Sequence, residues 1–192
     1  MKLKLALLVG LLSTNAVMAF DAAGIEPPLL TDGQQNASGK GCPAIRALKP
    51  AELPKPWRTA VTQIVMKCEP MAGMDKEPDA STRTVAILRP GAVNLRGIPV
   101  VELRHSSSWA HDDVQHVLDV PYAAVADTIA AYVRARCSAD FGPAAMSAET
   151  CNPVFDSGNA GFFVKTSELG GTWFHPDPDN PHRSILAVAW SE

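Results

Sequence analysis

The chain has 192 residues, 46% of them hydrophobic, and sets 17 Lys and Arg against 20 Asp and Glu for a formal net charge of −3. A length of this order makes one domain with a self-sufficient core. The cations are scattered rather than clustered, which argues against a nucleic-acid-binding surface, and no stretch carries a catalytic or cofactor motif of real specificity.

At the amino terminus, "MKLKLALLVGLLSTNAVMA" places Lys2 and Lys4 before the apolar run from Leu5 to Leu12 and ends in Val17, Met18 and Ala19. Charged start, apolar middle and small residues at the cleavage positions make a secretory signal over residues 1–19, cut after Ala19. The apolar run is shorter than the roughly 20 residues a spanning helix needs, so no transmembrane anchor is expected after cleavage. No Cys follows the cut, which argues against a lipid anchor. Cleavage removes two lysines and no acid, so 15 cations face 20 acids and the mature charge is −5. The expected location is the periplasm or the extracellular space.

Residues 20–56 are rich in Gly, Pro, Asn, Ser and Gln without sustained periodicity, and predict an extended arm tied down at Cys42. Residues 57–192 then read as a single α+β domain. "WRTAVTQIVMKC" fits both a helical and a strand face, and its β-branched content favours a strand from residue 57. "MAGMDKEPDAST" (71–82) predicts a polar loop. "TVAILRP" and "IPVVELRH" predict two strands joined through "GAVNLRG", which has turn residues at both ends. "VQHVLDV" (114–120) predicts a half-buried strand, with Val114, Leu118 and Val120 on one face and Val117 out of place among Gln115 and Asp119.

The segment "DVPYAAVADTIAAYVRARC" repeats Tyr122, Val125, Ile129, Tyr132, Val133 and Arg136 at helical spacing, and predicts one long helix over about 121–136. Pro121 suits a first turn, Asp119 could cap, and Arg134 and Arg136 suit the negative carboxyl end. Its other face is mostly Ala. After Gly142 and Pro143, "GFFVKTS", "GTWFHP" and "RSILAVAW" predict three strands. The last is apolar at nearly every position, as a central strand covered on both faces would be. Strands, one helix and further strands give an α+β fold: one mainly antiparallel sheet with the helix on one face and the proline-rich arm on an edge or the other face.

Four cysteines, Cys42, Cys68, Cys137 and Cys151, in an oxidising compartment predict two disulfides. Three pairings exist and spacing does not decide between them. The shortest loops favour Cys42 with Cys68 and Cys137 with Cys151, each contributing about 3 kcal/mol if unstrained. Closely spaced zinc-ligand pairs such as C-x-x-C are absent.

All five histidines fall in two groups: His105, His111 and His116, and His175 with His182. Asp112, Asp113, Asp177 and Asp179 stand near them, which invites a metal reading. The spacings match no ligand signature, since His111 and His116 are five apart and face opposite ways on a strand. Ser106, Ser107 and Ser108 beside His105 supply raw material for a nucleophile, but the strained G-x-S-x-G elbow is missing. Paired carboxylates for glycoside hydrolysis exist only as loop doublets. No catalytic residue, metal or cofactor is therefore assigned.

What remains is "WFHPDPDNPHR". Three prolines stiffen this loop, an aromatic pair forms its base and an Arg closes it. Such a segment loses little entropy on binding. The competing reading is a hairpin turn whose prolines discourage edge pairing. Trp173, Phe174, His175, Asp177, Asp179, His182 and Arg183, with Trp109 from the serine-rich segment, are the candidate partner-binding residues. The expected function is a non-catalytic binding protein, an inhibitor of an envelope-targeting enzyme or an immunity protein against a toxin. An envelope hydrolase or metal-dependent enzyme is the alternative, and a structural subunit of an envelope complex the third.

Overall fold

The computed structural model describes residues 20–21, 42, 46–72, 78–108, 111–141, 150–156, 161–165 and 170–191. The predicted signal, most of the predicted arm and Trp109 lie outside them.

Among the described residues, ten strands and two α-helices follow in the order β1 (Phe20–Asp21), α1 (Trp57–Ala60), β2 (Val61–Ala72), β3 (Pro78–Leu88), β4 (Val93–Leu95), β5 (Ile98–Ser108), β6 (His111–Leu118), α2 (Tyr122–Phe141), β7 (Val154–Asp156), β8 (Gly161–Lys165), β9 (Gly170–Asp177) and β10 (Asn180–Ser191). The long ladders are all antiparallel and run β2-β3-β5-β6-β10-β9-β8-β7. The start of β5 also carries the short β4, to which β1 adds in parallel. The fold is α+β, as the alternation of strands around one long helix implies.

The apolar carboxyl run becomes β10, paired on one side to β6 and on the other to β9. Alternate residues point to opposite faces. Leu186 joins Leu103, Phe162 and Phe174 in the main core, which Ile129, Tyr132 and Val133 of α2 close from above. Ile185 and Ala187 point the other way and meet Val117 in a second, smaller cluster with Val101 beside it. Val117, misplaced on a one-sided strand, thus has an apolar home on the outer face.

Several boundaries differ from the sequence-based expectation. Trp57–Ala60 is a helical turn, and the strand begins at Val61. Most of the expected loop 71–82 is strand: β2 runs to Ala72 and β3 starts at Pro78, because two long antiparallel partners extend each other's ladder beyond their apolar pattern. Helix α2 continues past the expected end at 136 to Phe141, with Cys137 buried on its core side; no Gly or Pro interrupts it before Gly142. Asp119 does not serve as its cap but faces Arg183 at 3.4 Å.

The "GAVNLRG" linker hides a strand. Arg96 and Gly97, both at positive φ (52° and 81°), form a two-residue hairpin between β4 and β5, the backbone that matches strand twist. Arg96 tolerates this conformation, and its guanidinium lies 5.2 Å from the Tyr132 ring centroid on α2.

Both disulfides join the pairs that close the shortest loops, Cys42–Cys68 and Cys137–Cys151, with Cα separations of 5.7 and 5.5 Å. The second fastens the last turns of α2 to the segment leading into β7. Leu53 is fully buried in the same core as Trp57, while Pro54, Lys55 and Pro56 between them are exposed. Among the described residues no helix is long and apolar enough to cross a membrane.

Candidate functional site

Strand alternation and register divide the sheet into an inner face under α2 and an outer face that no described helix covers. The expected contact loop is distributed between them. Residues 170–177 belong to β9 and 180–191 to β10, so the loop itself shrinks to a turn at Pro178 and Asp179. Asp177 Oδ1 accepts the Asp179 N–H at 3.0 Å and Asn180 Oδ1 accepts the His182 N–H at 3.0 Å, each side chain bending the chain back on itself. Pro176 lies beyond the last β8 pairing of β9 and stands in register with Ser184 of β10.

Phe174 points inward, is fully buried against Phe162 and Tyr122, and is a core residue rather than a contact residue. Asp177 is only 3% exposed, so it too offers nothing directly to a partner. Trp173, His175, Asp177 and Arg183 share the outer face. Asp179 and His182 are exposed at the turn.

What holds Asp177 is a chain of alternating charges. Asp119 meets Arg183 at 3.4 Å, Arg183 meets Glu102 at 3.4 Å, Glu102 meets Arg104 at 3.1 Å, and Arg104 reaches Asp177 at 3.6 Å. Arg183 on β10 and Glu102 on β5 bridge across β6, where Val117 stands in register with both Glu102 and Ile185. The ion chain therefore spans the small outer cluster, pinning the β9–β10 hairpin to the middle of the sheet. These residues are structural struts, and Glu102 and Arg104 had no signal in the sequence because their further partners, Arg183 and Asp177, lie far along the chain.

Beyond the ion chain the outer face changes character. Trp173 and Phe163 are register partners on β9 and β8, with ring centroids 4.6 Å apart. Gly171 makes room for this pair, since a Cβ built there would fall inside the Phe163 ring. Trp173 stays 39% exposed. Gln115 Nε2 donates to Asp113 Oδ2 at 2.6 Å on β6, while burial pushes the Asp113 carboxyl above its ordinary pKa against that hydrogen bond.

The histidine groups separate. His111 is exposed, and His116, on the opposite face as a five-residue spacing requires, is buried with neither ring nitrogen hydrogen-bonded. Burial, reinforced by the charge of Arg136, lowers its pKa to about 4. His105 Nε2 lies 2.6 Å from Asp112 Oδ1. Burial pushes the Asp112 carboxyl up, but the hydrogen bond and charge of His105, with a further hydrogen bond from Ser107, outweigh it and leave the pKa below its ordinary value. A serine triad needs the imidazole between hydroxyl and carboxylate; here Ser107 and His105 both bond the carboxylate. Among the described residues no group of three or more His, Cys, Asp or Glu is placed to hold a metal ion.

No protein-family model, curated protein or solved structure matches this chain.

Proposed function

We propose that this is an exported, non-catalytic binding protein, an inhibitor of an envelope-targeting enzyme or an immunity protein against a toxin, which meets its partner through the outer face of the sheet. The carrying observation is the Trp173–Phe163 pair: a partly exposed indole fixed by strand register and by the space at Gly171, on a face that no described helix covers. A pre-ordered aromatic loses little entropy on docking, and aromatic and Arg residues dominate binding hot spots. The signal-like terminus and two disulfides support export to an oxidising compartment.

The test is capture from an envelope extract with the immobilised mature protein, identification of what is retained by mass spectrometry, and titration of that purified partner. Trp173→Ala should weaken binding at least tenfold, or about 1.4 kcal/mol, with the thermal midpoint little changed. Unaltered affinity in a folded variant would remove the outer face from the proposal. Function lost in His105→Ala but intact in Trp173→Ala would favour the enzyme reading, for which the His105–Asp112 bond is the supporting geometry.

A further inference from the structure

We infer that the open edge of β7 takes up an extended apolar segment of the partner as an added strand. This rests on the proposed binding role and names how the partner's chain is held.

The long ladders of the sheet end in two edges: among the described residues β2 pairs with β3 alone and β7 with β8 alone. Native sheets protect such edges with charges and prolines. β2 follows that rule, with Lys67, Glu69 and Pro70 exposed along it. β7 does not. Val154 and Phe155 are 60% and 58% exposed, the highest values among the described large apolar residues. Shortness keeps a three-residue edge from pairing without limit, but it gives no reason for apolar side chains on both of its faces.

Each of these side chains prolongs a row built by register. Val154 stands opposite Phe163 and Phe163 opposite Trp173, so on the outer face Val154 carries the aromatic pair out to the sheet edge. On the inner face Phe155 stands opposite Phe162, with ring centroids 5.6 Å apart, and Phe162 packs on Phe174 in the core. Between Phe155 and the small residues Ala130, Ala131 and Ala135 of α2 lies a groove of about 430 Å³. A strand laid along β7 sends alternate side chains to opposite faces. One enters the groove above Phe155 and the next lies beside Val154, while the added backbone pairs with the open N–H and C=O groups of β7.

Two observations make the occupant a segment of another protein rather than a second copy of this chain. Pairing β7 with itself joins three residues to three, where a standard interface engages about 20–30 a side, and leaves Trp173, two strands in from the edge, uncovered. A partner that docks on the outer face as well gains the missing area there. Arg134 is the one charged side chain among the described residues lining the groove, and two-fold pairing would turn the Arg134 of each copy toward the other.

The experiment uses the mature protein and a fluorescein-labelled peptide, Ser-Thr-Val-Leu-Val-Thr-Ser, followed by anisotropy, with amide hydrogen exchange of the complex. The expected result is saturable binding below about 1 mM and slowed exchange at residues 154–156. The same peptide N-methylated at its three central amides keeps its side chains but loses its donors, and should bind at least tenfold more weakly. Phe155→Ser should weaken the unmodified peptide at least tenfold with the thermal midpoint little changed, whereas Val65→Ser, on the opposite edge, should leave binding unaltered. Absence of binding, equal binding of the methylated peptide, or indifference to Phe155→Ser would overturn the inference. A dimer in sedimentation that Phe155→Ser dissolves would overturn the assignment to another protein's segment. If Trp173→Ala weakens the captured partner while Phe155→Ser does not, only this inference falls; if Phe155→Ser weakens it while Trp173→Ala is silent, the outer-face reading falls and the edge stands.

Discussion

His116 should make the protein acid-labile in a window set by one side chain. Its ring is buried under α2 with both nitrogens unpartnered, Leu103 and Leu186 stand beside it in register on β5 and β10, and Arg136 is the charge facing it from the helix. His105, diagonally placed on β5, is the neighbouring titratable group on the same face and is turned to Asp112. Folded, His116 has a pKa of about 4, against an ordinary value of 6.5. Between those values the unfolded chain binds a proton that the folded chain refuses, so stability falls as pH drops below 6.5 and levels off below 4. Linkage across that gap gives roughly 3 kcal/mol in full and about 2 kcal/mol by pH 5.

Other groups titrate in the same range, so the informative quantity is a difference between proteins. His116→Leu keeps the site filled and loses no hydrogen bond, and any packing offset is the same at every pH. Urea unfolding with the disulfides intact, at pH 7.5 and pH 5, should show the parent losing about 2 kcal/mol more than the variant. Equal losses in the two proteins would refute the reasoning and mean that the ring is solvated or charged in the folded state.

Replacing Cys137 and Cys151 together with Ser should cost about 3 kcal/mol, read as a lower thermal midpoint, while free-thiol titration of the unfolded parent should find no thiols. Asp177→Ala should destabilise by about 2 kcal/mol because it leaves Arg104 without its buried partner, whereas Asp179→Ala, at the exposed turn, should cost under about 0.5 kcal/mol in equilibrium unfolding. Gly171→Ala should push the Phe163 ring off its seat, changing the fluorescence of Trp173 and weakening partner binding even where the fold survives.

Elements with strong local pattern were legible in the sequence. Helix α2 followed from the spacing of Tyr122, Ile129 and Val133, and β10 from its unbroken apolar run, even to its central position. The two disulfides are the pairing that loop length favoured, although spacing left three pairings open. The short β4 was not legible, because its three residues sit between two turns and owe their strand character to β5. The site was legible only in part. Trp173, His175 and Arg183 do share the outer face, but alternation sends Phe174 into the core, and long-range ion partners make Asp177 a strut. Phe163 became a candidate only once register placed it beside Trp173, since nothing local distinguishes it from ordinary strand residues.

The central place of β10 also governs the order in which the molecule can be assembled. Strands β2, β3, β5 and β6 form one block and β7, β8 and β9 another, and each ends in an open ladder until β10 is inserted between β6 and β9. Since β10 is the last of the described strands to be synthesised, no intermediate length of chain can close this sheet, and the joining contacts are distant in sequence. Folding dominated by such pairings is slow, and the waiting blocks expose strand edges that invite aggregation. A polypeptide that delays its own closure in this way places a premium on chaperones that hold it until the final strand arrives.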